Sequence, residues 1–464
     1  MTVPEPGVSA ADLDAFTRTV GRLRELPSDD PVRLRAERVA ESFARDGRRD
    51  RRRALKQERT RADTTLAAAT ATGSSTRRED APLEHDPAPG PIGTYGTPRR
   101  CYVCKSPYRD VDVFYHRLCP DCAAENTARR DARADLTGRR ALLTGGRVKI
   151  GFQLALMLLR DGAELTVTTR FPRDALRRFR AAQGSDAWLH RLTVVGIDLR
   201  DPRQVLGLCA ELCDAGAPLD ILVNNAAQTI RRGPDAFARL AEAELEPGPP
   251  EAAGVLRRAP GFRPLPAPAP VWPAAELAGA RDPGTARAAL TTTVDEAGLI
   301  PDDAAANSWS ARLGGLDPAE VLETQLVNAL APAMLCDRLL PLLLASPFRN
   351  RYIVNVTAVE GRFARSYTSG AHPHTNMAKA GLDMLTRTSA AGLAAEGVHM
   401  CGVDTGWITD ENPAPKKRRM ASKGFRTPLD VVDGAARVYD PIVRGESGAP
   451  VSGLFLKDYR EVPW

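Results

Sequence analysis

RRALLTGGRVKIG, residues 139–151, decides how this chain folds. Residues 139–144 form a short run that ends in β-prone apolar side chains, and Gly145 and Gly146 break it. From Phe152 to Asp161 the apolar side chains return at helical spacing. Strand, glycine-rich turn and helix in that order place backbone N–H groups at a helix N-terminus, where they receive a pyrophosphate. The pattern repeats outward. Residues 164–169, 192–197, 219–224, 352–356 and 397–403 read as further strands, with helical patterns between them. Such alternation marks βαβ units around a parallel sheet. The expected fold class is therefore α/β, doubly wound and Rossmann-like, with ligand at the carboxyl ends of the strands.

Upstream of residue 136 the composition changes twice. Residues 1–65 read as a helical arm: Ser9 and Asp12 have capping-box spacing, and Leu13, Phe16, Val20 and Leu23 recur at helical intervals, as do Val32, Val39 and Phe43. Pro27 and Pro31 separate two helices, and the second becomes almost wholly charged beyond Gly47, a solvated or partner-binding face. Residues 66–98, rich in Ala, Thr, Ser, Pro and Gly, read as a flexible linker. Residues 99–135 hold Cys101 and Cys104, then Cys119 and Cys122, two Cys-x-x-Cys pairs in a reducing-compartment pattern. Four thiolates suit a tetrahedral Zn²⁺ and close its coordination shell, so the expectation is a structural zinc knuckle. His116, between the pairs, reads as a surface residue that is able to replace a cysteine.

Charge and hydropathy exclude some classes. The net charge of +6 is the small difference between 64 basic and 58 acidic residues, too little to argue for nucleic-acid binding. No run of about 18 apolar residues suggests a membrane span, and the N-terminus lacks the pattern of a secretory signal. The expected location is the cytoplasm. A Pro/Ala-rich insertion at about 230–310 in the 136–464 domain, with PAPAPVWP at 266–273, reads as an extended excursion.

From Thr144 onward the chain resembles the short-chain dehydrogenase/reductase family, whose turn runs Thr-Gly-x-x-x-Gly-x-Gly. Thr144, Gly145 and Gly151 match; Arg147 and Ile150 fall inside the turn; Lys149 stands in place of the middle glycine, where it either crowds the phosphates or pairs its ammonium with one. The resemblance extends in order through Asp198 after the third strand, Asn225 and Ala226 in NNAA at 224–227, Asn328, Lys379 of the Tyr-x-x-x-Lys motif, and Gly406 and Ile408 in GWITD at 406–410. It implies a nicotinamide nucleotide as partner, and Arg170 at the end of the second strand favours the 2′-phosphate of NADP over NAD. Relatives often assemble as homo-oligomers through helices beside the one that bears this lysine.

The same resemblance exposes two departures. The family's proton-shuttling tyrosine is Thr375 here, and its serine is Ala358 or Thr357. A threonine hydroxyl titrates far above tyrosine's value of about 10 and cannot make the same transfer at neutral pH. Three readings follow: an atypical NADP(H)-dependent oxidoreductase that uses Tyr367, His374 or His372 as its acid, with Thr357 orienting substrate; a catalytically silent NADP(H)-binding regulator or scaffold acting through the knuckle and N-terminal helices; or a different reaction with Lys379 as acid or base. His372 and His374 also read as exposed loop residues that flank Pro373. Lys416, Lys417, Arg418 and Arg419 follow the GWITD loop and suit an anionic small molecule, an acidic protein or simply solvent.

Overall fold

The computed structural model describes residues 7–78, 80–84, 90–232, 234–246, 255–264, 294–300, 306–364 and 369–464. The chain divides into two units, Met1–Thr65 with Tyr95–Thr97, and Leu66–Thr94 with Pro98–Trp464. In the first unit, α1 (Ala10–Arg24) starts at the expected capping box: Ser9 accepts from the Asp12 N–H, and the Asp12 carboxylate accepts from the Ser9 N–H at 2.9 Å. Pro31 opens α2 (Pro31–Ala68). Phe16, Val39 and Phe43 are exposed, so the apolar spacing that predicted the helices builds no core here. Ion pairs one turn apart, Arg33–Glu37 and Arg45–Glu41, support α2 instead.

A hairpin of β1 (Pro91–Arg100) and β2 (Pro107–Asp112) brackets the first cysteine pair, and α3 (Pro120–Arg130) starts at Cys119. The α/β core follows: β3 (Arg140–Thr144), α4 (Lys149–Arg160), β4 (Glu164–Thr169), α5 (Pro172–Ala181), β5 (Leu192–Gly196), α6 (Pro202–Ala215), β6 (Ile221–Asn224), α7 (Ala238–Leu245), β7 (Leu256–Arg258), α8 (Pro318–Gln325), a π turn (Leu326–Leu330), α9 (Ala331–Leu344), β8 (Arg351–Thr357), α10 (Pro373–Ala395), β9 (Val398–Asp404), α11 (Ala414–Ser422), α12 (Val431–Glu446), β10 (Phe455–Lys457) and β11 (Arg460–Val462). Nine strands form one sheet in the order β11-β10-β9-β8-β6-β3-β4-β5-β7, parallel except for β11. All six strands expected from the sequence are present.

Adjacent residues of β3 feed opposite faces of this sheet. Leu143 packs with Leu154, Leu158, Val167 and Val438 on one side; Leu142 packs with Leu208, Leu335, Ile353 and Met400 on the other. Both faces are covered, as a parallel sheet requires. The chain leaves β3 toward β4 and later returns to β6 on its other side, so a topological crevice opens between the carboxyl ends of β3 and β6. Pro318–Leu344 is long and apolar enough to cross a membrane by length and composition. Leu335, Leu339 and Leu343 on it are instead buried in the sheet's core.

Three expectations change. The stretch 66–98, read as a linker, is packed in part: the Thr72 hydroxyl donates to the Phe114 carbonyl (2.8 Å), and Arg77 donates to the Thr427 carbonyl (2.8 Å). Small Thr and Ala side chains, which suggest a linker by composition, also fit narrow gaps in a core. His116 is buried rather than on the surface; its Nδ1 meets Thr72 Oγ1 at 2.8 Å, and burial pushes its pKa down to about 3. The insertion contributes β7, which extends the sheet beside β5; residues 266–273 lie outside the described residues.

The cysteine segment is joined to the core by buried charge. Arg130 reaches Asp430 at 2.5 Å and Asp433 at 3.1 Å; the Tyr115 hydroxyl donates to Asp433 at 2.6 Å, and Arg437 binds Asn126 and Asp458 at 2.8 and 2.9 Å. Asp430 also caps α12. Asp430→Ala removes the α12 cap and one of the two carboxylates that hold the buried Arg130 guanidinium, leaving Asp433, and should lower the unfolding free energy by about 2–4 kcal/mol. Urea denaturation checks it, and an unchanged midpoint would remove the network from the account.

Candidate functional site

The glycine-rich turn lies at the crevice between β3 and β6. Gly145 adopts a left-handed φ of 74°, and the N–H groups of Gly145 and Gly146 both donate to the Thr168 carbonyl (3.0 and 3.2 Å). From across the crevice, Thr144 Oγ1 accepts from the N–H groups of Asn225 and Ala226, each at 3.0 Å, and Asn225 Nδ2 donates back to the carbonyls of Thr144 (3.0 Å) and Gly145 (3.2 Å). A Cβ at Gly151 would stand 2.1 Å from the Gly145 carbonyl oxygen, so only glycine fits there. Val148, the residue before α4, offers no capping side chain. The first-turn N–H groups of α4 therefore face the crevice uncapped, a geometry that accepts an anion.

Lys149 is held at a left-handed φ of 54°, a conformation suited to the glycine it replaces. Its ammonium pairs with Asp80 at 2.9 Å and lies 3.8 Å from Glu411. Burial opposes its charge, but Glu411 and Asp80 outweigh it and hold the ammonium above its ordinary pKa. Ile150 and Ile408 meet over Gly434, where a Cβ would come within 3.0 Å of the first and 2.2 Å of the second. Arg147 is committed elsewhere, to Asp174 (2.7 Å) and the Ala297 carbonyl (2.8 Å). Arg170 lies over the rings of Phe237 (5.0 Å) and Phe171 (5.7 Å) and has no ion pair or hydrogen bond among the described residues. Burial pushes its pKa down to about 10 against the pull of Asp198. Asp198 itself is gripped by Arg200 at 2.5 and 3.0 Å. Asn328, in the π turn, clasps the backbone of Gln228 just after the NNAA stretch, with its oxygen 2.7 Å from N and its nitrogen 3.0 Å from O.

The helix α10 carries the titratable groups. Lys379 is buried and donates to the Val356 carbonyl at 2.7 Å; burial brings its pKa down to about 8, with Asp383 and Asp404 opposing. Asp383 stands one helical turn further on, buried, with neither carboxylate oxygen hydrogen-bonded. Burial pushes its pKa up to about 7, eased by Thr357 and Lys379. Asp383 and Thr357 converge over Gly402, where a Cβ would stand 3.6 Å from Asp383 Oδ1 and 3.3 Å from Thr357 Cγ2. The Thr357 hydroxyl lies near enough to ease the charge of this carboxylate, and the Thr375 hydroxyl is buried without a hydrogen bond. Thr375, Lys379 and Asp383 recur every four residues and so share one face of α10.

The two histidines are buried, not exposed loop residues. His372 stacks on Trp309 with ring centroids 3.9 Å apart, and its Nδ1 meets the Trp309 carbonyl at 2.9 Å. Neither ring nitrogen of His374 is hydrogen-bonded; its Nε2 stands 4.0 Å from Glu320, and burial pushes its pKa down. Tyr367 lies outside the described residues. Asp383 was missed by sequence reasoning, although an acid four residues beyond Lys379 on the core face of a helix is a legible signal. Asp80 had no such signal, because it lies in the stretch that reads as a linker.

Beside this site, Cys101, Cys104, Cys119 and Cys122 bring their four sulfurs within 4.8 Å of one another. Cys104 and Cys119 are 3.6 Å apart, close to the roughly 3.8 Å edge of a tetrahedron with 2.3 Å metal–sulfur bonds. The basic run 416–419 lies on α11.

Residues 139–246 match the short chain dehydrogenase family. The chain is 31% identical over 362 residues to the uncharacterized protein R665 of Acanthamoeba polyphaga mimivirus, covering 74% of this chain and 71% of that one. It is 30% identical over 168 residues to the C-signal protein of Myxococcus xanthus, covering 36% of this chain and 91% of that one. Among solved structures it is similar to the RhlG/NADP active-site complex of Pseudomonas aeruginosa, with 19% identity, a TM-score of 0.44, and coverage of 69% of this chain and 95% of that one. The chain belongs to the short-chain dehydrogenase family.

The buried Asp383 carboxyl generates a prediction. Its pKa in the folded protein lies above the ordinary 3.8, so the stability it contributes is present below about pH 4 and is lost as pH rises through about 7. Asp383→Asn removes that loss. The variant should melt at a higher temperature than the parent at pH 8, and the gap should close by pH 4. Parallel melting curves at every pH would show that the carboxyl is solvated.

Proposed function

We propose that this chain is an atypical NADP(H)-dependent oxidoreductase, acting on a carbonyl or alcohol, in which the buried Lys379–Asp383 pair replaces the usual tyrosine as the source of the proton. One observation carries the reading. A lysine and a carboxyl near neutrality, with two unpartnered threonine hydroxyls, line one face of α10 and the end of β8. Unsatisfied buried polar groups cost stability, and such costs concentrate where chemistry is done.

The uncapped N-terminus of α4 and the turn 144–151 fit a pyrophosphate, and Arg170, a cation with no ion pair among the described residues, fits a 2′-phosphate. NADPH held there supplies the hydride. Lys149 exchanges Asp80 for a phosphate oxygen. Asn225 and Thr144 keep the turn rigid, and Gly406 and Ile408 border the crevice. Thr357 and Thr375 hold the substrate oxygen by hydrogen bonds. Neither hydroxyl ionises; one of them relays to the substrate oxygen the single proton that the Lys379–Asp383 pair gives up, while the other only donates a hydrogen bond. His374, buried and short of partners, is the other candidate acid. An anionic substrate suits the basic α11. The four cysteines fit a Zn²⁺ that braces their segment, with no open position for chemistry.

A second reading, a silent NADP(H)-binding regulator, is favoured by Thr375 in the place of tyrosine and by the Asp80–Lys149 pair at the phosphate turn. Calorimetry with NADPH and a carbonyl panel followed at the NADPH absorbance separates the two. Binding with turnover supports the oxidoreductase, binding without turnover supports the regulator, and no binding overturns both. Arg170→Ala should weaken NADPH about tenfold or more and leave NADH nearly unchanged, as loss of a charge-assisted contact dictates. Equal losses for both nucleotides would remove Arg170 from the 2′-phosphate. Metal analysis should find one zinc per chain, and Cys119→Ser should lose it and destabilise the protein.

A further inference from the structure

The cysteine segment touches the loop at the mouth of the crevice. Between Cys101 and Cys104 the backbone is fixed by two hydrogen bonds, Cys101 N–H to the Ser106 carbonyl (2.9 Å) and Tyr102 N–H to the Arg117 carbonyl (2.8 Å). From that turn the Tyr102 hydroxyl accepts the N–H of Trp407 at 2.8 Å. Trp407 lies in the loop that leaves β9. Its neighbour Gly406 has a left-handed φ of 84° and donates to Asp404 at 3.0 Å, and Lys457 pairs with the same carboxylate oxygen at 3.0 Å. One residue beyond Trp407, Ile408 is buried beside Ile150 of the phosphate turn; three further on, Glu411 lies 3.8 Å from Lys149. Ile408 is also tied from the far side, where the Thr427 hydroxyl donates to its carbonyl at 2.8 Å.

The loop thus spans from the cysteine turn to the groups that face the nucleotide crevice. A shift at Trp407 is transmitted within one residue to Ile408 and within four to Glu411. We propose that Tyr102 is a positioning residue for the nucleotide site: it holds the loop after β9 in register over the crevice, and the cysteine segment is in this chain a part of the cofactor-binding apparatus. The inference rests on the nucleotide reading above. It does not depend on which metal the thiols bind.

Tyr102→Phe keeps the ring and removes the acceptor. One neutral hydrogen bond is worth about 0.5–1.5 kcal/mol, a factor of roughly 3–10. Hydrogen exchange at the Trp407 amide should quicken by that factor, and the NADPH dissociation constant should rise by a similar one. The metal content should stay at the parental value and the melting temperature should fall by only about 1–2 °C, whereas a general structural role for the tyrosine would cost far more and release the metal. Parental exchange at Trp407 together with parental NADPH affinity would overturn the proposal. So would faster exchange with unchanged affinity, which would confine Tyr102 to local packing. If the parent itself binds no NADPH, the nucleotide reading has failed, and the positioning role falls with it.

Discussion

The reciprocal grip of Thr144 and Asn225 is the constraint on which the site depends. β3 and β6 are neighbours that the chain reaches at widely separated times, and their carboxyl ends diverge into a crevice. Thr144 accepts two backbone N–H groups from the far side, and Asn225 returns two hydrogen bonds to the turn. The turn is thereby locked before any ligand arrives, with the N-terminus of α4 open toward the gap. Preorganisation of this kind spares a ligand the cost of ordering the loop that binds it.

Around this fixed centre the charges are mobile in chemical rather than geometric terms. Lys149 is paired with Asp80 and Glu411, all acidic partners supplied by the chain itself, whereas Arg170 has none among the described residues. On the proposed reading a phosphate would have to displace the first contact, whereas the second cation would be open to one. Deeper in, Lys379 and Asp383 are both buried, one helical turn apart on α10, and burial moves the pKa of each toward neutrality. Along α10, Thr375 is followed at four-residue intervals by Lys379 and Asp383, with His374 beside it at the start of the helix.

Much of this was legible in the sequence, for a physical reason. A parallel sheet buried on both faces must be built from continuous apolar runs, and those runs are visible without coordinates; all six strands expected from them are present. Gly145 and Gly151 declared themselves for different reasons: the first turns at a left-handed φ, and a Cβ on the second would collide with the Gly145 carbonyl oxygen. The edge strands β7 and β11, and β10 beside the latter, each of three residues, are too short to leave a pattern. The packing of Thr72 and Arg77 was invisible because threonine and alanine fill a tight interface as readily as they form a linker. His116, His372 and His374 misled for a related reason: a histidine beside proline or arginine looks solvated until the tertiary fold closes over it.

The central claim is that a phosphate-bearing nicotinamide nucleotide occupies the crevice between β3 and β6. A crystal of the protein soaked with NADPH tests it most directly. The account predicts pyrophosphate density at the N-terminus of α4, Arg170 on the 2′-phosphate, and Lys149 turned from Asp80 toward the phosphates. An empty crevice with the Lys149–Asp80 pair intact, at saturating nucleotide, would contradict it.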